Sequence, residues 1–485
     1  MEVVILCGYS LPFMSSKPAG AFTIANCVRD YGLECQVIDF VFRMSPDERA
    51  RAFAKYIGPD TKFLLFSTTL AGEPGNQYVY LERLDQMFQP LMEHASALAP
   101  QAKWIVGGHK VLRENSSLPF DYSIRGQGEE ALWAVLDHEL KDQPLKVGET
   151  SGKTKIIHDK DYQYNDFNRT PAIRFHDNDF VMHNETVPLE ISRGCIFNCS
   201  YCDYYLNGKS FGDYTKSLEA VRTTMMHNYE RYGVTRYIIT DDTLNDSLDK
   251  AYFMRDLRAS LPFDLEYCAS MRIESFTKYP EMAQIYMESG MRAVNFGIET
   301  FNKRAGQQVG KGFGERAKDA LEQLYSVWQG EVAISCNFIL GLPFDTKEMM
   351  QAQHDWICNS PAVDSLLVHP FYIWRVKDAA SILKSAELFG YYRDTGKSDN
   401  PRQIDWVSKE TSFEEMCVLA EHYRHDFAER KGSLLGGSAN SFITGILMRD
   451  YTIKQMREIP LSERGPAFQR VIEERYNYTV SRLIA

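Results

Sequence analysis

The stretch SRGCIFNCSYCDYYLNGK, residues 192–209, places Cys195, Cys199 and Cys202 on one short segment with the spacing Cys-x-x-x-Cys-x-x-Cys. Thiolates are the soft ligands that select iron–sulfur clusters. Three of them can hold three irons of a [4Fe-4S] cube and leave the fourth iron without a cysteine. A structural zinc ion would need a fourth protein ligand at plausible spacing. Asp203 is adjacent but poorly placed, and no histidine follows closely. A catalytic iron with an open position therefore fits better than zinc, and Arg193-Gly194 before the loop and Tyr201 within it argue against a chance cluster of inert cysteines.

The other cysteines, Cys7, Cys27, Cys35, Cys268, Cys336, Cys358 and Cys417, stand alone in mostly apolar surroundings. Isolated buried thiols point to a reducing compartment rather than a disulfide framework. The 485 residues exceed one ordinary hydrophobic core, and 44% hydrophobic, 25% charged and 13% aromatic residues describe folded domains. A formal net charge of -11 does not favour nonspecific attraction to polyanions, so nucleic acid is not an expected partner. The start, MEVVILCGYSLPF, lacks the basic residues and longer apolar core of a signal peptide, and no apolar run reaches the length of a bilayer span. These features predict a soluble cytoplasmic protein.

Upstream of the cysteines, EVVILCGY, LECQVIDF, KFLLFSTTL and AKWIVGGHKV read as strands separated by helical stretches such as FTIANCVRDYG. Residues 1–140 are thus predicted to form an open parallel α/β sheet. Ligands of such sheets lie beyond the carboxyl ends of the strands. The candidate residues there are Gly8, Tyr9 and Ser10; Ser67, Thr68 and Thr69; Gly107, Gly108 and His109; and Gly126, Gln127 and Gly128. Paired glycines allow a backbone to approach a flat ligand or phosphate, and the hydroxyls can donate hydrogen bonds; tight strand-to-helix turns explain the same residues equally well. Residues 141–185, polar and charged, read as a linker with a short hairpin.

Downstream, TRYIITDD, FDLEYCASMR, AVNFGIET and VAISCNFILGLP are strand candidates separated by helical stretches, which predicts a partial or full (β/α) barrel over residues 186–370. Residues 371–485 predict a mostly helical cap, with His369, Tyr372, Trp374, Tyr391, Tyr392 and Trp406 as candidates to line a pocket under it. Aromatic residues in such places more often pack than react.

The cysteine segment resembles the signature of the radical S-adenosylmethionine superfamily, and residues 1–140 resemble the cobalamin-binding domain found ahead of the barrel in many of its members. The second resemblance rests on the Ser67-to-Leu70 turn, on VGGHK and on IRGQGEEAL. The first resemblance implies a [4Fe-4S] cluster on Cys195, Cys199 and Cys202 whose open iron chelates S-adenosylmethionine, which reductive cleavage converts to a 5'-deoxyadenosyl radical. It also implies an external electron donor such as flavodoxin or ferredoxin. By the same resemblance Tyr201, Thr240, Asp241, Asp242, Arg272, Glu299, Gly341 and Pro343 serve S-adenosylmethionine, with Glu274 beside Arg272, and by the second the strand-end residues named above serve cobalamin. Taken singly, Asp241 and Asp242 could cap a helix, Glu299 could pair with Lys311, and Gly341 with Pro343 could end a strand. One departure stands out: better-known members carry an Asp-x-His-x-x-Gly element after the first strand, and CGYSLPFMSSKPAG contains no histidine.

The combined expectation is a cobalamin-dependent radical methyltransferase acting on an unactivated carbon or phosphorus. The alternatives are radical rearrangement, cyclisation or oxidation without methyl transfer, and a non-catalytic metal-stabilised binding protein. Methylthio transfer would need a second cluster, for which Cys7, Cys27 and Cys35 are too loosely spaced, and no obvious basic RNA-binding module is present.

Overall fold

The computed structural model describes residues 1–8, 16–69, 71, 81–112, 114–162, 173–202, 214–373, 392–397, 403–431 and 448–485. Tyr9, Ser10, Trp374 and Tyr391 lie outside them. Two units are present: Met1–Leu189 with Glu219–Val234 and Gln469–Ala485, and Glu190–Leu218 with Thr235–Phe468.

In the first unit, short apolar runs form β1 (Val3–Leu6), β2 (Cys35–Ile38), β3 (Phe63–Ser67), β4 (Lys103–Gly107) and β5 (Tyr122–Arg125). Between them run α1 (Ala19–Asp30), α2 (Pro46–Tyr56) and α3 (Leu81–Leu98), with α4 (Glu129–Lys141) after β5. Local chemistry sets the boundaries: α2 opens on a capping box between Ser45 and Glu48 with Pro46 in its first turn. The sheet order is β2-β1-β3-β4-β5-β7-β6, where β6 (Glu149–Ser151) and β7 (Thr154–His158) come from the stretch expected to be a linker. β7 joins β5 in parallel and β6 returns antiparallel, so the sheet is mixed at this edge and continues past residue 140. The reason is local: Gly152, at φ +59°, supplies the left-handed turn residue a tight hairpin needs. The core centres on Phe88, whose ring stacks on Phe66 at 3.6 Å and meets Trp104 edge-on at 5.8 Å.

The last segment also differs from expectation. Residues 371–485 read as one cap, yet Gln469–Ala485 belong to the first unit, where Val480 and Leu483 are buried in its core. Arg475, itself buried, donates to Asp39 Oδ2 at 3.0 Å and to Glu185 Oε1 at 2.9 Å. An amphipathic pattern shows which face of a helix is apolar but not what will cover it.

β8 (Thr186–Leu189) leads into the cysteine segment, and α5 (Leu218–Tyr232) follows it. The second unit then alternates β9 (Arg236–Ile239), α6 (Leu248–Ser260), β10 (Glu266–Met271), α7 (Ile273–Lys278), α8 (Met282–Glu288), β11 (Met291–Glu299), α9 (Lys303–Gln308), α10 (Arg316–Trp328), β12 (Ala333–Leu340), α11 (Lys347–Asn359) and β13 (Ser365–Pro370). Its strands pair in parallel in the order β13-β12-β11-β10-β9, the wall of a partial (β/α) barrel. β13 was not among the strand candidates, because SLLVHP is too short to separate from other apolar runs by pattern. Helices seal the outside: Trp328 of α10 is fully buried, stacks near Phe296 and donates its indole N–H to Ala283 O at 2.9 Å.

After β13 come the small antiparallel pair β14 (Arg393–Asp394) and β15 (Trp406–Val407), then α12 (Phe413–Lys431), α13 (Ile453–Glu458) and α14 (Leu461–Ile484). The region is mostly helical, as expected. Trp406 is buried and donates its indole N–H to Phe371 O at 2.7 Å, so it acts as packing rather than pocket lining. It rests on the turn after β12, where Gly341 has φ +81° and an added Cβ would lie 2.6 Å from the Trp406 ring. Gly341→Ala is accordingly expected to lower stability by about 2–4 kcal/mol through backbone strain and overpacking. Urea denaturation followed by tryptophan fluorescence measures it, and an unchanged midpoint would remove this role.

Candidate active site

The cysteine loop is held at its entrance by one buried carboxylate. Asp241 lies just past the end of β9. Its Oδ1 accepts the N–H groups of Ile191 at 3.0 Å and Ser192 at 2.9 Å, and its Oδ2 accepts the Ser192 hydroxyl. Lys250 of α6 reaches the same cluster, with Nζ 2.6 Å from Ser192 Oγ, 3.0 Å from Asp246 Oδ2 and 3.7 Å from Asp241 Oδ2. Burial raises the Asp241 pKa, while Lys250 and the three donors oppose that rise. Next along the loop, Arg193 binds Glu190 through Nε at 2.6 Å and Nη2 at 2.9 Å. Burial alone would raise the Glu190 carboxyl, yet Arg193 and Lys216 hold it below the ordinary range.

Three strand ends contribute contacts to the cysteine loop. Beyond β9, Thr243 places its hydroxyl oxygen 3.4 Å from Cys195 Sγ. At the end of β10, Arg272 directs Nη1 to Cys199 Sγ at 3.5 Å, binds Glu274 at 2.9 Å and lies 4.0 Å from the Phe197 ring centroid. Its backbone is fixed on both sides by Asn245, which accepts from Arg272 N at 2.8 Å and donates to Arg272 O at 2.7 Å. At the end of β11, Glu299 accepts the Tyr201 hydroxyl at 2.6 Å, with Lys311 Nζ 3.6 Å away. A register shift between Gly297 and Glu299 interrupts the β11 ladder just before its last pair, Glu299 with Phe338, and Glu299 adopts φ +67°. A Cβ on Gly297 beside it would meet the Glu299 carboxylate at 2.6 Å and displace it.

Among the predicted residues, the fold thus gathers Cys195, Cys199, Tyr201, Asp241, Arg272 and Glu299 on and around one loop. Cys202 is tied to it by its N–H bond to Cys199 O at 3.1 Å. Thr240 and Asp242 flank Asp241 on the same turn. Asp242 is titrated up to about 6 by burial, by neighbouring Asp241 and by Glu190, against Lys250. Gly341 and Pro343 sit past β12, where the Gly341 carbonyl accepts the Tyr392 hydroxyl at 2.7 Å. His369, the penultimate residue of β13, lies beside Tyr372, and burial lowers its pKa. Sequence reasoning missed Ser192, Asn245 and Lys250. Ser192 stood next to the motif, but the partners Asn245 and Lys250 acquire their meaning only through the fold.

The donor set fits a polynuclear cluster. Three cysteines outside any disulfide share one loop, and a cation bonds one of them. Among the described residues they do not converge as the ligands of a single ion would. Soft thiolates spread over a loop with one cluster corner left open match a [4Fe-4S] cube better than tetrahedral zinc.

In the first unit, the other predicted residues that are described lie at the carboxyl ends of β1, β3, β4 and β5, which are consecutive neighbours in the sheet. The Thr68 hydroxyl donates to Gly107 O at 2.9 Å, and Thr69 Oγ1 accepts from His109 N at 3.2 Å, so both tie adjacent loops together. Gly108, at φ +101°, would press a Cβ onto Thr69 Oγ1 at 2.6 Å, and Gly126, at φ +97°, onto the Asp159 carboxylate at 2.1 Å. A Cβ on Gly8 would meet Val41 N at 3.1 Å, and one on Gly128 the Ile24 side chain at 2.9 Å. Ser67 is the last residue of β3, and Gln127 donates its N–H to Asp159 Oδ2 at 2.8 Å.

Residues 189–357 match the radical SAM superfamily. An uncharacterized methyltransferase of Pyrococcus horikoshii is 27% identical over 162 residues, which is 33% of this chain and 34% of that protein, so the match spans about a third of the relative's length. The radical S-adenosylmethionine methyltransferase TsrM of Kitasatospora setae, solved with cobalamin and a [4Fe-4S] cluster, superposes with a TM-score of 0.62 at 14% identity, covering 98% of this chain and 99% of that one. The cobalamin-dependent S-adenosylmethionine radical enzyme OxsB, solved with aqua-cobalamin, gives 0.62 at 11% identity over 100% of this chain and 80% of that chain. Among the described residues no helix is long and apolar enough to cross a membrane. Residues 189–357, which include the thiol loop at the barrel strand ends, thus match the radical SAM superfamily, and the chain as a whole shares the fold of these two solved enzymes.

Proposed function

We propose that this chain is a cobalamin-dependent radical SAM methyltransferase acting on a carbon or phosphorus centre that acid–base chemistry cannot activate. The observation that carries the reading is the fold shared over nearly the whole chain with a radical SAM methyltransferase solved with cobalamin and a [4Fe-4S] cluster. When bound, the cluster and S-adenosylmethionine supply a 5'-deoxyadenosyl radical, and cobalamin supplies the carrier of the methyl group. The chain's own residues do the positioning. Cys195, Cys199 and Cys202 hold the cluster, Arg272 offsets thiolate charge at Cys199, and Asp241 fixes where the loop begins. Thr240 and Asp242 would take up the ammonium of S-adenosylmethionine, and Glu299, which accepts the Tyr201 hydroxyl, would serve its ribose. Small residues at four neighbouring strand ends, Gly8, Ser67, Gly107 and Gly126 among them, suit the close backbone approach of a flat corrin.

Anaerobic reconstitution followed by cofactor extraction tests the proposal. One cobalamin retained per chain, with S-adenosylhomocysteine formed beside 5'-deoxyadenosine, supports it. A loaded cluster without retained cobalamin overturns the methyl-transfer reading.

Asp242 gives the proposal a pH signature. Its carboxyl, raised to about 6, must be ionised to bind an ammonium group, so affinity for S-adenosylmethionine is expected to strengthen about 10-fold from pH 5 to pH 7. Asp242→Asn should bind more weakly and lose that slope. A variant that keeps the wild-type pH profile in equilibrium binding would show that another group binds the ammonium.

A further inference from the structure

We propose a second metal site, outside the thiol loop, at which His354 and Cys358 of α11 and Asp426 of α12 bind a borderline-soft divalent ion such as zinc and clip the two helices together. His354 and Cys358, four residues apart, share one helix face, and both are buried. Their ligand atoms converge with that of Asp426. His354 Nε2 lies 2.7 Å from Asp426 Oδ2, Cys358 Sγ lies 3.5 Å from His354 Nε2, and Cys358 Sγ lies 3.9 Å from Asp426 Oδ2. A tetrahedral ion with bonds of about 2.0–2.3 Å sets its ligand atoms roughly 3.3–3.6 Å apart, so this triangle is close to one face of such a site. The short edge is a hydrogen bond that an entering ion would replace. Imidazole, thiolate and carboxylate together are a donor set zinc accepts, and water can fill the fourth position from the partly exposed Asp426 side.

Two observations favour a metal over other uses of the three groups. In a nucleophilic triad the cysteine and the carboxylate engage opposite nitrogens of the imidazole, whereas here both approach Nε2 most closely. The ring is also held for ligation, stacked on Tyr423 with centroids 4.0 Å apart and planes 2° from parallel. Burial lowers the His354 pKa, which favours the neutral ring a metal needs, and raises the Cys358 thiol to about 11. Binding therefore releases the thiol proton and strengthens as pH rises. Two cations stand nearby: Lys431, whose Nζ donates to Val363 O at 2.9 Å, and Arg430, 3.2 Å from Asp426 Oδ2 with other acceptors in Asn359 at 3.0 Å and Asp355 at 3.5 Å. Arg430 competes with the ion for Asp426 without being needed there.

Cobalt(II) titration of the full-length chain bearing Cys195→Ala, Cys199→Ala and Cys202→Ala tests this site apart from the cluster. One equivalent should bind, with a thiolate-to-cobalt charge-transfer band and the intense visible bands of tetrahedral cobalt. Zinc should displace it and raise the melting temperature. Adding Cys358→Ser should abolish the charge-transfer band and weaken binding at least about 100-fold, while Arg430→Gln should tighten it several-fold. Absence of a bound equivalent, a spectrum indifferent to Cys358→Ser, or an affinity unchanged or weakened by Arg430→Gln would each overturn the proposal.

Discussion

Alanine at Cys195, Cys199 or Cys202 is expected to yield a folded chain that assembles no intact cluster and cleaves S-adenosylmethionine no faster than a protein-free blank. The loss is at least about 1000-fold, or about 4 kcal/mol of activation free energy. Three thiolates are the minimum set for a cube with one open corner, and no nearby cysteine or histidine follows the loop to substitute for any of them. Iron and sulfide content, with 5'-deoxyadenosine release under reducing conditions, measure the effect. Cleavage at the wild-type rate by any one of the three variants would end the assignment of that cysteine, and cleavage by the triple variant would end the chemistry proposed for the whole loop.

The second large effect is expected at Asp241, which resembles a cofactor contact in sequence but is fully occupied by the chain itself. Asp241→Ala removes the acceptor for two backbone N–H groups and the Ser192 hydroxyl and leaves Lys250 without that carboxylate. Breaking a buried charge cluster of this kind costs about 3–5 kcal/mol. Because the lost bonds begin three to four residues before Cys195, iron uptake should fall together with stability. Asp241→Asn keeps an acceptor oxygen but no charge opposite Lys250, so it should lie between wild type and alanine. Urea denaturation with parallel iron analysis separates the outcomes. A destabilisation of Asp241→Ala under about 1 kcal/mol would mean that the entrance of the loop is held by something else.

How far each part could be read ahead of the structure follows the reach of its cause. The cysteine spacing is a contiguous signal, because the residues that share a cluster also share a loop. The strands β1 to β4 and β9 to β12 carried their own apolar runs and turn residues, and they form where those signals fell. β13 and the β6–β7 hairpin had weaker runs and were settled by pairing with neighbours already in place. Gly341 and Trp406 illustrate the same limit. A glycine after a strand reads as a terminator, and only the indole packed above it shows why no side chain fits.

By itself, then, the sequence determined the thiol loop, the order of an α/β unit before a (β/α) unit, and the absence of a histidine from the first strand-end loop, since each is written in adjacent residues. Only the tertiary structure decided what those residues meet. It turned Asp241 into the anchor of the loop, set Arg475 between Asp39 and Glu185 from opposite ends of the chain, and brought Asp426 to His354 and Cys358. The physical reason is that buried charges and ligand atoms must be satisfied wherever packing leaves them, and packing joins residues far apart in sequence that no local pattern encodes.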